Sequence, residues 1–425
     1  MPELQDSPKY YIWTIGCQMN KAESERLGSL FEQNGYQATA TAEEADLIVL
    51  NSCVVRQSAE NRVTNKLSVL GALKKENPRL TLVLTGCYVN SETDLLKKKH
   101  PYVDYFFKAG AQPQWLEKTG PGQMLPLHPP PSVYVPISQG CDNFCSYCIV
   151  PYRRGRERSR PVSELAEEVR EMVISRGVKE VTLLGQNVDS YGHDLPGRPD
   201  LAELLNELNG IDGLARLRFL TNHPKDMSSR LINAVANLDK VCEQICLPVQ
   251  SGDNDILKLM RRGYTIEHYR RLIEETRSKI PGVALSTDVI VGFPTESEEQ
   301  FKHTFNLLSK LRFDTVHTAA YSPRPGTTAT KELHDNIPTA EKKRRLNEIE
   351  QLQESIATEI NTRLLDSTVE ILVEGRKRGR WQGRTRSDKL VFFSNNSNNH
   401  LGQLVNIRIE KTSPWSLQGR IVISK

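Results

Sequence analysis

The stretch Gly140-Cys141-Asp142-Asn143-Phe144-Cys145-Ser146-Tyr147-Cys148 sets three thiols in a CxxxCxxC spacing directly after the apolar run Val133–Ser138. Three thiolates on so short a loop suit either a zinc ion or an iron–sulfur cluster. An aromatic residue, Tyr147, precedes the last cysteine, and no fourth local ligand follows. A cubane held here would therefore keep one iron open. The preceding apolar run reads as the first strand of an α/β domain, with the loop at the carboxyl end, where the sites of such barrels gather.

Working outward, further apolar runs recur at Glu180–Leu184, Arg216–Leu220, Gln244–Val249, Ala284–Val291 and Thr315–Ala320. Helical patterns lie between them, among them Val162–Arg176, Ile266–Lys279 and Glu298–Leu311. Six strands with intervening helices predict an open (β/α) barrel over residues 127–360, with Rossmann-like winding the other arrangement the pattern allows. Thr339, after Pro338, reads as a helix cap, and Leu346, Ile349, Leu352, Ile356 and Ile360 at helical spacing predict a long closing helix. Upstream, residues 8–124 alternate apolar runs (Tyr10–Ile15, Leu47–Leu50, Leu82–Leu84) with helix-like stretches (Lys21–Asn34, Ala59–Lys75). That alternation predicts βα units on a parallel sheet. Gly120-Pro121-Gly122, Pro126 and Pro129–Pro131 read as a stiff linker. Residues 361–425 change style. Short strand candidates at Thr368–Val373, Leu390–Phe393, Leu404–Ile409 and Gly419–Ile423, with the polar run Ser394–Asn399 between two of them, predict a small β-barrel of the kind nucleic-acid-binding modules use. The fold class is α/β, with this small barrel appended.

The chain has 425 residues, 38% hydrophobic and 25% charged, which fits neither a disordered nor a membrane protein. No stretch approaches the ~18 consecutive apolar residues of a membrane span, and the start is polar, so neither a spanning helix nor a signal peptide is expected. Eight cysteines in such a chain point to metal or redox chemistry in a reducing cytoplasm rather than to disulfides. The net charge is +4, but residues 361–425 hold 12 Lys and Arg against 5 Asp and Glu, a net of +7, and the remainder is −3. The excess includes Arg376-Lys377-Arg378-Gly379-Arg380-Trp381. A second basic knot, Arg153, Arg154, Arg156, Arg158 and Arg160, is broken by one acid, Glu157. Two such patches make a polyanion, nucleic acid, the expected partner.

A wider set of cysteines shares one local context: Thr14-Ile15-Gly16-Cys17, Leu50-Asn51-Ser52-Cys53 and Leu84-Thr85-Gly86-Cys87. Each stands just after a strand candidate. In a parallel sheet those carboxyl ends lie side by side, so Cys17, Cys53 and Cys87 are expected to converge as a second three-thiolate site. Cys242 and Cys246 lack that context and read as core residues.

Together these features resemble the radical S-adenosylmethionine methylthiotransferases. The likeness is carried by CxxxCxxC with Tyr147, the three spaced cysteines, the Arg-rich run Tyr152–Arg160, Gly185-Gln186-Asn187, Leu247–Gly252 and Gly292-Phe293-Pro294. It covers essentially the whole chain and implies a methylthiotransferase domain at 8–124, a radical-enzyme barrel at 127–360 and an RNA-binding TRAM domain at 361–425. Within the family, Asn51–Arg56, Tyr191-Gly192-His193-Asp194 and the basic tail look most like the branch that modifies N(6)-dimethylallyladenosine beside the tRNA anticodon. The resemblance implies two 4Fe–4S clusters and S-adenosylmethionine. Cys141, Cys145 and Cys148 would bind the cosubstrate through their cluster's open iron, and Cys17, Cys53 and Cys87 would hold the cluster that supplies sulfur. Tyr147, Gln186, Asn187, Ser251 and Asp288 are expected to contact the cosubstrate. Arg153, Arg154 and Arg156 would hold phosphate near the mouth, and Arg376, Lys377, Arg378, Arg380 and Trp381 would dock the anticodon stem-loop by charge and stacking. An electron donor such as flavodoxin or ferredoxin, a monomeric state and no membrane complete the expectation. The other readings are a relative acting on threonylcarbamoyl-adenosine or on an aspartate of a ribosomal protein, and a zinc-dependent RNA-binding protein. The sequence departs from the family pattern at Cys246, where His is usual, and at Pro294-Thr295-Glu296-Ser297, where Pro-Gly-Glu-Thr is usual.

Overall fold

A computed structural model describes residues 7–54, 57–89, 93–111, 114–116, 125–126, 128–394 and 399–422. The Gly120-Pro121-Gly122 part of the linker, Val55 and Arg56, most of the Ser394–Asn399 run, and Ile423 lie outside these residues. The chain divides into two compact units, one comprising 1–128, 139–142 and 148–158, the other 129–138, 143–147 and 159–425.

In the first unit, strands Lys9–Thr14, Leu47–Ser52 and Thr81–Gly86 are parallel neighbours, flanked by the two-residue strands Gln37–Ala38 and Tyr105–Phe106. Their side chains divide by parity, because successive residues of a strand point to opposite faces. Leu47, Val49 and Val83 pack with Leu27, Leu30 and Phe31 of helix Gln18–Gln33. Ile48, Leu50, Leu82 and Leu84 pack with Val63, Leu67 and Leu70 of helix Gln57–Glu76. Burial on both faces is why these strands read as unbroken apolar runs.

In the second unit, strands Ser132–Pro136, Glu180–Leu184 and Arg216–Leu220 form one parallel sheet, and Gln244–Cys246, Ala284–Val291 and Thr315–Ala320 form another. A parallel bridge between Leu217 and Val241 joins them. The six strands follow in chain order without the reversal that marks a doubly wound sheet, so the arrangement is the open barrel. Helix Thr339–Thr362 closes it, burying Ile349 and Ile356 and donating from Gln353 to the carbonyls of Phe313 and Asp314. Thr339 is not its cap. Pro338, at φ −58° and ψ 145°, takes that position, and Thr339 falls in the first turn.

The tail is a closed barrel of five strands, ordered Thr368–Lys377, Arg380–Thr385, Leu390–Phe393, Leu417–Ile421, Leu404–Thr412. Four of these carry the expected apolar runs. The fifth, Arg380–Thr385, has Trp381 as its one large apolar residue, and its other inward positions are Gly383 and Thr385. A Cβ on Gly383 would meet the Leu372 carbonyl oxygen at 2.2 Å, so the strand needs an apparently weak residue for close approach. Arg378 (φ 50°) and Gly379 (φ 80°) form the two-residue turn between paired Lys377 and Arg380, the geometry of a type I′ hairpin.

Candidate metal centres

The wide cysteine set is assembled by a sheet edge. Cys53 and Cys87 directly follow two of the three adjacent parallel strands and Cys17 stands three residues past the end of the other, with Thr14 opposite Asn51 and Asn51 opposite Thr85. The Ile15 amide donates to the Asn51 carbonyl at 2.9 Å and the Cys87 amide to the Ser52 carbonyl at 2.8 Å. Two fully buried asparagines lock the turns together. Asn20 donates to Asn51 Oδ1 (2.9 Å) and the Ser52 carbonyl (3.2 Å), and its Oδ1 accepts from the Cys17 amide (3.3 Å). Asn51 donates in return to the Asn20 carbonyl at 2.9 Å and Ser24 Oγ at 3.0 Å. Gly16 (φ 149°) passes so close that a Cβ would lie 2.2 Å from Asn20 Oδ1 and 3.0 Å from the Cys53 Cβ. The turns that carry the three cysteines thus share one hydrogen-bonded frame. Cys53 and Cys87 are buried and Cys17 is exposed at the rim.

Arg154 reaches this site, which corrects its expected role. Its side chain is 2% exposed, pairs with Glu23 at 2.5 Å, and donates from Nε to Cys87 Sγ at 3.3 Å. It holds a thiol, not RNA phosphate. Burial pushes the Cys87 thiol up despite the opposing pull of Arg154, so ligation must displace a tightly held proton. Arg160 is likewise spent internally, on Glu164 and Glu168. Arg156 is exposed but forked onto Asp142, at 2.6 and 3.2 Å. The knot fails as a uniform phosphate face because carboxylates and one thiol occupy its guanidinium groups. Arg153 is half-buried and Arg158 exposed.

In the signature loop, Cys141 and Cys148 belong to the first unit and Cys145 to the second. The Cys141 amide donates to the Gly155 carbonyl at 3.2 Å. Cys145 is buried and accepts from Arg262 Nη1 at 3.4 Å, while Arg262 also donates to the Pro248 carbonyl (3.0 Å) and Tyr264 Oη (3.2 Å). Ser146 fixes the loop by its amide to the Met260 carbonyl (3.0 Å) and its hydroxyl to the Leu259 carbonyl (2.7 Å). A cubane takes one iron corner per thiolate, and the two all-sulfur sets of three cysteines fit it.

The barrel mouth is strained. Phe144 (φ 46°), Thr221 (φ 73°), Gln250 (φ 67°) and Thr295 (φ 72°), all non-glycine, lie beyond the carboxyl ends of four barrel strands. Such backbone persists only where the surroundings enforce it, typically at functional sites. Tyr147 packs edge-on to Phe293, centroids 6.5 Å apart, and Gln186 is half-buried. Asn187 donates to Asp226 at 2.7 Å, while its buried Oδ1 has no hydrogen-bond partner among the described residues. Asp288 projects beside Cys246, with Oδ2 4.0 Å from the thiol. Ser251 departs from expectation: it is fully buried, accepts from the Asp253 amide at 3.2 Å and lies 3.5 Å from Thr304 Oγ1, so it shapes its loop rather than meeting a cosubstrate. Cys242 is core, as expected. Cys246 is not: it is partly exposed beside Asp288, with burial chiefly, then that carboxylate, pushing its thiol up to about 12. It keeps its proton at neutral pH.

Sequence reading missed the buried polar wall below this mouth. Asp189 accepts from Asn222 Nδ2 at 2.5 Å and the His223 amide at 2.8 Å, yet burial still pushes its carboxyl up to about 7. Burial and Arg262 hold His223 down to about 2, so its ring is neutral. The adjacency of Asn222 and His223 just past a strand was the available signal.

In the small barrel, Arg376, Lys377, Arg378 and Arg380 are exposed on the hairpin tip. Trp381 is not a stacking surface: it is 6% exposed, belongs to the barrel core, and Arg376 covers its ring at 4.4 Å. The aromatic that does face outward is Trp415, 58% exposed on a turn pinned by Asn361. Arg384 and Arg386, also counted in the basic tail, serve internal packing: Arg216 and Arg218 donate to their carbonyls, and Arg386 pairs with Glu243.

Three family models match the chain: the radical SAM superfamily over residues 135–308, the uncharacterized protein family UPF0004 over 9–108, and the TRAM domain over 363–422. A protein of Dehalococcoides mccartyi named tRNA-2-methylthio-N(6)-dimethylallyladenosine synthase is 55% identical over 98% of this chain and 99% of its own length. The chain belongs to that synthase family. Proteins of the same name from Roseiflexus and Chloroflexus aurantiacus are 50% and 48% identical over 97% and 98% of the chain, and 89% and 93% of their own lengths. Among solved structures, the radical S-adenosylmethionine methyltransferase TsrM of Kitasatospora setae aligns with TM-score 0.55 at 13% identity, over 76% of this chain and 77% of that one, a likeness of fold alone. Membership in the synthase family makes the chain an enzyme that uses S-adenosylmethionine and 4Fe–4S clusters, two clusters being the family's usual arrangement. Among the described residues no helix is long and apolar enough to cross a membrane.

Proposed function

We propose that this enzyme replaces the hydrogen on carbon 2 of N(6)-dimethylallyladenosine, beside the tRNA anticodon, with a methylthio group. The observation that carries the reading is the gathering of Cys17, Cys53 and Cys87 at three adjacent strand ends, in a chain whose barrel opens with CxxxCxxC. That carbon is not acidic, so no side-chain base can activate it, and the bound cofactors supply a one-electron route, sulfur and methyl. The chain's own residues do the holding. Cys141, Cys145 and Cys148 carry the cluster that binds S-adenosylmethionine, with Arg262 bonded to Cys145; Cys17, Cys53 and Cys87 carry the other, framed by Asn20 and Asn51. Tyr147, Gln186, Asn187 and Asp288 line the cosubstrate's place at the barrel mouth. Residues 8–124, 127–360 and 361–425 divide the work into sulfur site, radical site and RNA grip. A flavodoxin or ferredoxin delivers the electron, and the enzyme works as a cytoplasmic monomer, where its eight cysteines stay out of disulfides. Mass spectrometry of nucleosides from tRNA of cells with and without the gene tests the reading. Loss of the methylthio group from dimethylallyladenosine supports it; loss from threonylcarbamoyl-adenosine instead, or no change, overturns it.

The RNA grip makes its own prediction. Neutralising Arg376, Lys377, Arg378 and Arg380 together will weaken binding of an anticodon stem-loop and flatten its salt dependence by about 0.7–0.9 in slope per lost phosphate contact. Trp415→Ala will weaken binding by about 1–3 kcal/mol if a base stacks there, with the fold intact. Trp381→Ala will instead destabilise the small barrel by about 3–5 kcal/mol. Filter binding across salt, with thermal melts alongside, separates the three. An unchanged slope in the four-residue variant removes the hairpin from the interface.

A further inference from the structure

Arg154 lies six residues beyond the signature loop, yet its guanidinium is buried against the other cysteine set. A buried cation costs several kcal/mol unless it is paired and hydrogen-bonded. Here Nη1 and Nη2 fork onto the Glu23 carboxylate at 2.5 and 3.2 Å, and the Nε–H points at Cys87 Sγ, 3.3 Å away. Glu23 is on the helix that starts beside Cys17, so one carboxylate on the cysteine-bearing framework fixes the guanidinium in rotation. The arrangement is a ligand thiol, an N–H donor and an orienting carboxylate in line, the geometry by which outer groups tune a metal ligand.

We propose that Arg154 is a positioning residue for the Cys17/Cys53/Cys87 cluster, oriented by Glu23, and that its bond to the Cys87 sulfur raises that cluster's reduction potential. This rests on the two-cluster reading above. Reduction places more negative charge on the sulfurs, so a donor and a cation at one sulfur stabilise the reduced form over the oxidised one. Glu23 acts in the opposite sense electrostatically, while holding the donor in place. Opposite signs are therefore expected from the two partners, and a merely structural pair would not give them.

The test uses the full chain carrying Cys141→Ala, Cys145→Ala and Cys148→Ala, reconstituted anaerobically so that one cluster gives the signal. Iron and sulfide are assayed, then the potential is titrated and followed by electron paramagnetic resonance of the reduced cluster. Arg154→Met is expected to shift the reduced-to-oxidised ratio at fixed potential about tenfold toward oxidised, or about 59 mV for a one-electron couple. Arg154→Lys keeps the charge but not the Nε–H and should shift less, in the same direction. Glu23→Gln should shift toward reduced. Intact clusters with unmoved potentials, or a shift of the same sign in the Arg154→Met and Glu23→Gln variants, overturn the proposal. If Arg154→Met fails to hold iron, Arg154→Lys and Glu23→Gln decide by the same signs. No iron in the parent overturns the two-cluster reading itself, whereas iron in the parent with unmoved potentials overturns only the role of Arg154.

Discussion

Alanine in place of Cys141, Cys145 and Cys148 will abolish the reductive cleavage of S-adenosylmethionine, and deoxyadenosine measured by mass spectrometry under strong reductant will fall to the uncatalysed background. The loss will be chemical rather than a loss of fold. The loop is held by the Ser146 amide and hydroxyl, bonded to the Met260 and Leu259 carbonyls, and by the Ala329 amide bonded back to the Ser146 carbonyl. None of these needs a thiol. Arg262 loses its bond to Cys145 but keeps the Pro248 carbonyl and Tyr264, so no buried guanidinium is left wholly unpaired. Circular dichroism and melting should accordingly change little. Deoxyadenosine persisting at the parent rate would remove these three cysteines from the cosubstrate cluster.

The strands and the cysteine-bearing turns were legible in the sequence because burial leaves a strong mark. Leu47–Leu50 and Leu82–Leu84 are apolar on both faces, and a parallel sheet is the ordinary reason for that. The same rule fails at Arg380–Thr385, where Gly383 and Trp381 are chosen for close approach and packing rather than for apolar periodicity. Charge was less legible still. Arg154, Arg156 and Arg160 look alike in sequence, but one is buried on Glu23 and Cys87, one is forked on Asp142, and one is pinned by Glu164 and Glu168. A run of arginines states how much charge is present, not how much of it reaches solvent. Trp381 misleads in the same way: the basic residues just before it are exposed and its own ring is not. Local sequence also cannot show partners far along the chain. Glu23 and Arg154 are 131 positions apart, and Asn187 and Asp226 are 39 apart.

Substituting Cys17, Cys53 and Cys87 by alanine will separate the two halves of the reaction. Iron will fall by about half, because two cubanes hold equal numbers of irons. Deoxyadenosine will still form, since the barrel cysteines and Arg262 are untouched, but the methylthio product will fall below detection. The substitutions are structurally mild. Cys17 is exposed, and the buried Cys53 and Cys87 behave as small apolar side chains whose loss leaves room for little more than a sulfur atom. The turns that carry them are fixed by Asn20, Asn51 and the strand register, none of which involves sulfur beyond the Cys17 contact with Asn20. Arg154 remains paired with Glu23, so its charge stays compensated when Cys87 goes. Uncoupled cleavage with half the iron and no sulfur insertion is the signature of a lost sulfur site. An unchanged iron count would remove the three cysteines from any cluster, and a simultaneous loss of deoxyadenosine would mean the two sites cannot be assembled independently.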